Sequence, residues 1–283
     1  MSALPIPFAV ASNLEQPFQE AITAAGLTPP DTIIADGKIH RFSTNGKRGD
    51  DCGWYMLHTD GIAAGAFGDW REGFTQNWCS KAATTMTESE RLAHRERVKT
   101  MQRQREDDLT QRRQLAAADA LKRWTVAIPC SHHDYLTRKG IQSHGAKVEG
   151  DKLLIPMRDT AGTLHSLQTI APDGTKLFMS GGRVKGCYFG IGKPKGALIV
   201  CEGFATGASI HECTGHAVAV AFNAGNLEAV AVALHSKYPA LKIIIAADDD
   251  HQTPGNPGIT KATAAVQASG ATLALPVFKA TTA

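Results

Sequence analysis

The chain has 283 residues, 30 Lys and Arg against 27 Asp and Glu, and a formal net charge of +3. That length allows two or three small domains and a sizeable core, while the mild basicity is compatible with a nucleic-acid partner without identifying one. No apolar run reaches the length of a membrane span, the N-terminus lacks a basic-then-apolar leader pattern, and the six cysteines form no CxxC pair, so a cytoplasmic protein with reduced thiols and no membrane partner is expected.

After a polar, Pro-containing lead, residues 14–25 have the pattern of a short amphipathic helix, closed by Gly26 and the Pro29-Pro30 pair. Residues 32–70 carry turn pairs at Asp36-Gly37, Asn45-Gly46 and Asp60-Gly61 between short apolar runs, which predicts a small antiparallel sheet of hairpins. Arg41, Lys47, Arg48 and Arg71 are interleaved there with Phe42, Trp54, Tyr55, Phe67 and Trp70. Such a mixture can bind a single strand by stacking and phosphate contact, and it can equally be the aromatic core of a small sheet. Arg41, Lys47, Arg48 and Trp54 are the candidate DNA contacts. His40, Cys52, His58 and Cys79 are the plausible soft ligands, but their spacing fits no usual zinc pattern, and no zinc is expected.

Residues 87–124 form a long charged segment without Gly or Pro, opened by the capping box Thr87-Glu88-Ser89-Glu90. Its alternating charges suit exposed pairs along a solvent-facing connecting helix. The basic cluster Arg95, Arg97, Lys99, Arg103 and Arg105 is diluted by nearby acids. A short helical approach follows, in which His132-His133-Asp134 reads as a polar helix start. Strands are then predicted at 152–157, 164–170 and 176–178, separated by turns at Ala161-Gly162 and Asp173-Gly174.

From residue 197 the texture changes again. The runs 197–201, 217–222, 242–247 and 272–277 are short, β-rich and nearly free of charge, as strands buried on both faces of a parallel sheet are. Helix-length segments lie between them, which predicts a βαβαβαβ unit. Glu202 follows the first of these strands, and Asp248, Asp249 and Asp250 follow the third. Carboxyl ends of such strands line the binding crevice of open α/β sheets. In an extended chain Asp248 and Asp250 point the same way, where they repel unless a cation or proton lies between them. An all-oxygen set suits Mg²⁺ or Mn²⁺.

Glu202-Gly203 after one strand and the DxD of Asp248 and Asp250 after a later one resemble the Toprim domain found in bacterial-type primases, topoisomerases and some nucleases. The preceding stretch, IPMRDTAGTLHSLQ and then PDGTKLFMSGG, resembles the subdomain that precedes Toprim in primases. Together the two cover about half the chain. The resemblance implies an α/β protein with a Rossmann-like parallel-sheet Toprim domain at 196–283. Before it would come a mixed α/β primase subdomain at 129–195, a charged helical connector at 81–128 and a hairpin module at 1–80. It further implies a DNA primase, similar to those of phages and conjugative plasmids. Such an enzyme makes short RNA primers on single-stranded DNA from ribonucleoside triphosphates and works with a separate replicative helicase.

In that reading Glu202, Asp248 and Asp250 hold the metal, with Glu202 as ligand or as general acid/base. Arg158 and Lys176, and further Arg183 and Lys185, grip template or nucleotide. Primases of this type commonly begin with a zinc ribbon, and here the hairpins would be a metal-free counterpart. A Toprim nuclease and a non-catalytic single-stranded-DNA-binding or anti-restriction factor are the alternatives. No GxxxxGK[ST] helicase motif or GxSxG occurs, and no tyrosine sits in a topoisomerase-like context.

Overall fold

Three sheets carry the fold in the computed structural model, which describes residues 14–250, 253 and 255–276. The polar lead over 1–13 and the end of the last expected strand, at Val277, lie outside the described residues. The chain divides into two compact units, Met1–Leu109 and Thr110–Ala283.

In the first unit, α1 (Glu15–Ala24) buries Phe18 and Ile22, four residues apart and therefore on one helix face. The strands β1 (His40–Phe42), β2 (Gly53–His58), β3 (Ala64–Asp69) and β4 (Phe74–Cys79) form an antiparallel meander in that order. The sheet thus extends past the hairpins expected to end at Trp70. Phe18 and Ile22 pack with Ile33, Phe42, Tyr55, Leu57 and Phe67 as its core. Gly65 explains the close approach of α1: a Cβ there would lie 2.7 Å from the Phe18 ring. All of β3 is buried, because its other face is covered too: Met56 and Ala64 pack with Met101.

Met101 belongs to α2 (Glu88–Val126), a helix that runs from the first unit into the second. The capping box forms as expected: Thr87 Oγ1 accepts from the Glu90 N–H at 3.3 Å, and Glu90 Oε2 accepts from the Thr87 N–H at 2.8 Å. The helix is not the wholly solvated connector that its charge suggests, since Met101, Ala116 and Ala120 are buried.

The second unit contains β5 (Ile128–Pro129), α3 (Asp134–Lys139), β6 (Lys147–Glu149), β7 (Lys152–Arg158), β8 (Leu164–Ile170) and β9 (Lys176–Phe178). The five strands pair antiparallel in chain order, with β9 at the edge. Then come β10 (Phe189–Ile191), β11 (Ala197–Cys201), α4 (Phe204–Thr214), β12 (Ala217–Val220), α5 (Leu227–Lys237), β13 (Lys242–Ala246), α6 (Pro257–Ser269) and β14 (Thr272–Ala274). Their sheet has the order β10-β12-β11-β13-β14, parallel except for β10, as expected for the C-terminal segment apart from that added strand.

Strand alternation divides the burial in this sheet. Leu198, Val200, Ile243 and Ile245 face Val230, Leu234, Ala262 and Ala265 of α5 and α6. Ile199, Cys201, Val218 and Val220 join Phe204 and Ala208 of α4, together with Leu153, Ile155 and Met157 of β7. One continuous core therefore joins the antiparallel sheet to the parallel one and fixes β9 relative to the strand ends.

Candidate active site

β11 and β13 are parallel neighbours, with Val200 opposite Ile245, so the residues that follow them emerge side by side. Glu202 leaves the first strand and Asp248 the second. Burial, and then the charges of Asp248 and Asp250, raise the Glu202 pKa to about 7, while a backbone N–H at Ala224 works the other way. Its Oε1 is buried and has no hydrogen-bond partner. The Asp248 carboxyl is also raised, by burial first and the Asp250 charge second, with Lys176 opposing.

The segment after β13 is held by Asn256, itself in the left-handed region at φ 39°. Asn256 Oδ1 accepts from the Asp250 N–H at 3.0 Å and its Nδ2 donates to Asp249 Oδ1 at 2.7 Å. Gly258, in the first turn of α6, donates its N–H to Asp250 Oδ2 at 3.2 Å. A Cβ on Gly258 would lie 2.3 Å from the Asp248 carbonyl oxygen, so only glycine admits the helix start so close. Asp249 is thus used inside its own loop, whereas Asp248 and Asp250 are coupled to Glu202.

The donor chemistry fits a hard divalent cation. The carboxylates repel one another, one buried oxygen has no partner, and the set is all oxygen. Among the described residues no three His, Cys, Asp or Glu side chains converge closely enough to enclose a metal. Mg²⁺ does not require such a cage, because it keeps waters and shares its remaining positions with substrate phosphates.

Opposite the acids stands Lys176 on β9. Partial desolvation and the charge of Lys139 lower its pKa, while Asp248 raises it. Its ammonium lies 5.9 Å from the centre of the Tyr135 ring, and the Arg138 guanidinium lies at the same distance from that ring. Arg138 and Lys139, in the last turn of α3, therefore belong to the basic side of the site, and sequence reasoning missed them. The available signal was two consecutive basic residues directly before a helix-ending glycine, Gly140, at φ 64°.

The other expected basic residues are placed differently. Arg158 donates to the Gly162 carbonyl at 2.8 Å. Arg183 donates to the Lys185 carbonyl at 3.0 Å and lies 3.8 Å from Asp159. Lys185 is exposed.

In the first unit Trp54 is 1% exposed, 5.4 Å from Trp70 and beneath the Arg105 guanidinium at 5.6 Å. Its expected role in stacking on a DNA base is therefore corrected: no ring face is available. Arg41 pairs with Asp108 at 2.9 Å and lies 5.1 Å from the Trp70 ring. Lys47 and Arg48 are exposed in the turn between β1 and β2. The four soft ligands have separate environments. His40 meets Asp36 at 2.7 Å, Cys52 accepts from Arg71 at 3.0 Å, the His58 ring fills the space beside Gly37, and Cys79 ends β4.

Residues 197–281 match the Toprim domain family. Over 285 residues the chain is 37% identical to DNA primase TraC of Escherichia coli, an alignment covering 93% of this chain and 26% of that protein. A second Escherichia coli DNA primase TraC is 38% identical over 288 residues, covering 95% of this chain and 20% of that one. The chain thus spans about a quarter or less of the length of these relatives. Among solved structures, the primase fragment of the bacteriophage T7 primase-helicase protein aligns at 16% identity and a TM-score of 0.39, covering 54% of this chain and 71% of that one.

Proposed function

We propose that this chain, which carries a Toprim domain over residues 197–281, is the primer-synthesising part of a DNA primase. It would join ribonucleoside triphosphates on a single-stranded DNA template. The observation that carries this reading is the opposition of two charge sets: Glu202, Asp248 and Asp250 at the strand ends, and Lys176 on a different sheet within electrostatic reach of Asp248. A Toprim domain by itself leaves nuclease chemistry open. Similarity to DNA primases runs through the preceding sheets as well, which favours synthesis.

Asp248 and Asp250, with Glu202, would hold Mg²⁺ or Mn²⁺. When bound, such a cation neutralises charge on phosphoryl oxygens and positions them for in-line displacement. The chain's own groups supply the rest. Lys176, Arg138 and Lys139 form a fixed positive surface toward a triphosphate or a template phosphate. Glu202 Oε1, buried and unpartnered, can serve as a cation ligand or receive the proton of a 3′-hydroxyl. Arg158, Arg183 and Lys185 would steer the strand farther out. In the first unit Lys47 and Arg48 would touch the template backbone, without zinc, and Arg41 would act beside them. A separate replicative helicase would open the duplex, in the cytoplasm.

The test is direct. Purified protein is incubated with single-stranded DNA, labelled ribonucleotides and Mg²⁺, and the products are read on a gel. Short RNA products that vanish in Asp248→Ala are expected. Shortened DNA without RNA products would replace this reading with a nuclease. DNA binding with neither product would leave a binding factor.

A further inference from the structure

β12 ends at Val220, and two residues later Phe222 adopts a φ of 74°. An aromatic residue in the left-handed region is an uncommon and costly conformation that persists where its surroundings over-determine it. Asn226, 3% exposed, supplies the constraint. Its Nδ2 donates to the carbonyls of Ala221 at 2.8 Å and Cys187 at 2.9 Å, and its Oδ1 accepts from the Gly186 N–H at 2.8 Å. The turn is also tied to the acid site. The Ala221 N–H donates to the Cys201 carbonyl at 2.7 Å, directly before Glu202, and the Ala224 N–H acts on the Glu202 carboxylate.

This anchored turn brings the Phe222 ring edge-on to Phe178, with centroids 6.3 Å apart and planes at 79°. Phe222 is 8% exposed and acts as the buttress, while Phe178 is 41% exposed. Phe178 lies on the edge strand β9, two residues after Lys176, so the two side chains share a strand face. Lys176 is the lysine whose charge reaches Asp248. An aromatic ring thus shares the strand face of Lys176, rests on a turn tied to the acid site, and is partly open to solvent.

We propose that Phe178, buttressed by Phe222, is a stacking platform for a nucleobase whose phosphates extend toward Lys176 and the acids. This rests on the nucleotide-transfer reading and adds to it the subsite that receives the base. Stacking on an aromatic ring is tolerant of base identity, as a site serving all four nucleotides requires. The base comes from the incoming nucleoside triphosphate or from the template strand, and both carry the same chemistry.

Two fluorescent probes separate the sources: 2-aminopurine riboside triphosphate, and a short single-stranded DNA containing one 2-aminopurine. Each is titrated with Mg²⁺ present into wild type, Phe178→Leu and Phe178→Trp. Leucine keeps apolar surface without a ring, and the site is exposed enough for either variant to fold. The expected result is quenching of at least one probe by wild type, affinity lower by about 5- to 100-fold in Phe178→Leu, and affinity kept or improved in Phe178→Trp. The probe that responds identifies the source. Wild-type affinity of Phe178→Leu for both probes overturns the subsite, as does failure of wild type to quench either. Primer synthesis by wild type, measured alongside, shows whether the subsite fails alone or the primase reading fails with it.

Discussion

Two sets of charges, one in each unit, are used in opposite ways. In the first, partly exposed cations meet acids: Arg97 with Asp60 and Lys81 with Glu90. In the second, the charges of Asp248 and Asp250 act on Glu202 at an adjoining strand end, and Glu202 keeps a buried oxygen without a partner. A matched pair has little left to offer a ligand. A self-repelling cluster lowers the stability of the fold around it, and it gains when a cation or a cationic substrate complex arrives. The contrast therefore reads the paired charges as structural and reserves chemistry, on the proposed reading, for the acids of the second unit.

The strongest way to break that contrast is to remove an acid. Asp248→Ala should reduce primer synthesis by at least about 100-fold, a loss of the size seen when a group that stabilises transition-state charge is removed. Its melting temperature should stay level or rise, because repulsion is relieved. Asp249→Ala should do the reverse. It loses a hydrogen bond to Asn256 and about 1 kcal/mol of stability, while synthesis continues. Gel assays and thermal melts of the two variants check this, and a tolerant Asp248 beside an intolerant Asp249 would shift the metal-binding positions by one residue.

Lys176→Ala comes next in size. As a phosphate contact, its loss should lower synthesis by about 10-fold and flatten the salt dependence of DNA binding by about one unit of slope, if the contact is to nucleic acid. Stability should change by no more than about 0.5 kcal/mol, since the residue is exposed. Normal synthesis with a normal slope would leave the acids without their cationic counterpart and return the nuclease alternative to the front.

A third measurement needs no turnover. Mg²⁺ bound by the folded state alone should raise the wild-type melting point, by the equivalent of about 2.7 kcal/mol at a concentration 100 times its Kd. Asp248→Ala should show little of that rise. Equal stabilisation of both proteins would place the cation elsewhere.

How much of this was legible in the chain differs between the same two regions. The parallel sheet was, because strands such as 197–201 and 242–246 are apolar on both faces and that leaves a continuous signature. The place of the acids just after two strands was legible as well, since each follows an apolar run. β10 was not: three residues with a central glycine carry no periodicity, and pairing with β12 makes the strand. Arg138 and Lys139 sit on a short helix whose position beside Lys176 is a tertiary fact. Trp54 was misread because basic and aromatic residues have the same composition in a core as on a binding face. Arg105, contributed by α2, lies over its ring, and Trp70 lies beside it.

The smallest expected effect tests the structural side of the contrast. The Arg97 guanidinium donates to Asp60 and holds its pKa down at about 2, with burial slightly opposing. A folded-state pKa below the unfolded value means that the pair stabilises the fold above the unfolded pKa near 3.8 and loses that contribution as pH falls through about 2. The Asp60 side chain is 74% exposed, so water and salt screen the pair and its worth stays below about 1 kcal/mol. Arg97→Ala should therefore melt slightly below wild type at pH 4, and the gap should close toward pH 2 and shrink in high salt. Burial, and then the Arg97 charge, also lower the His58 pKa, so a His58→Gln background separates its titration from that of the pair. Primer synthesis at neutral pH should be unchanged. Should Arg97→Ala instead lower synthesis and flatten the salt slope, that charge would belong to the template path, and the division between paired, structural charges and self-repelling, chemical ones would no longer hold.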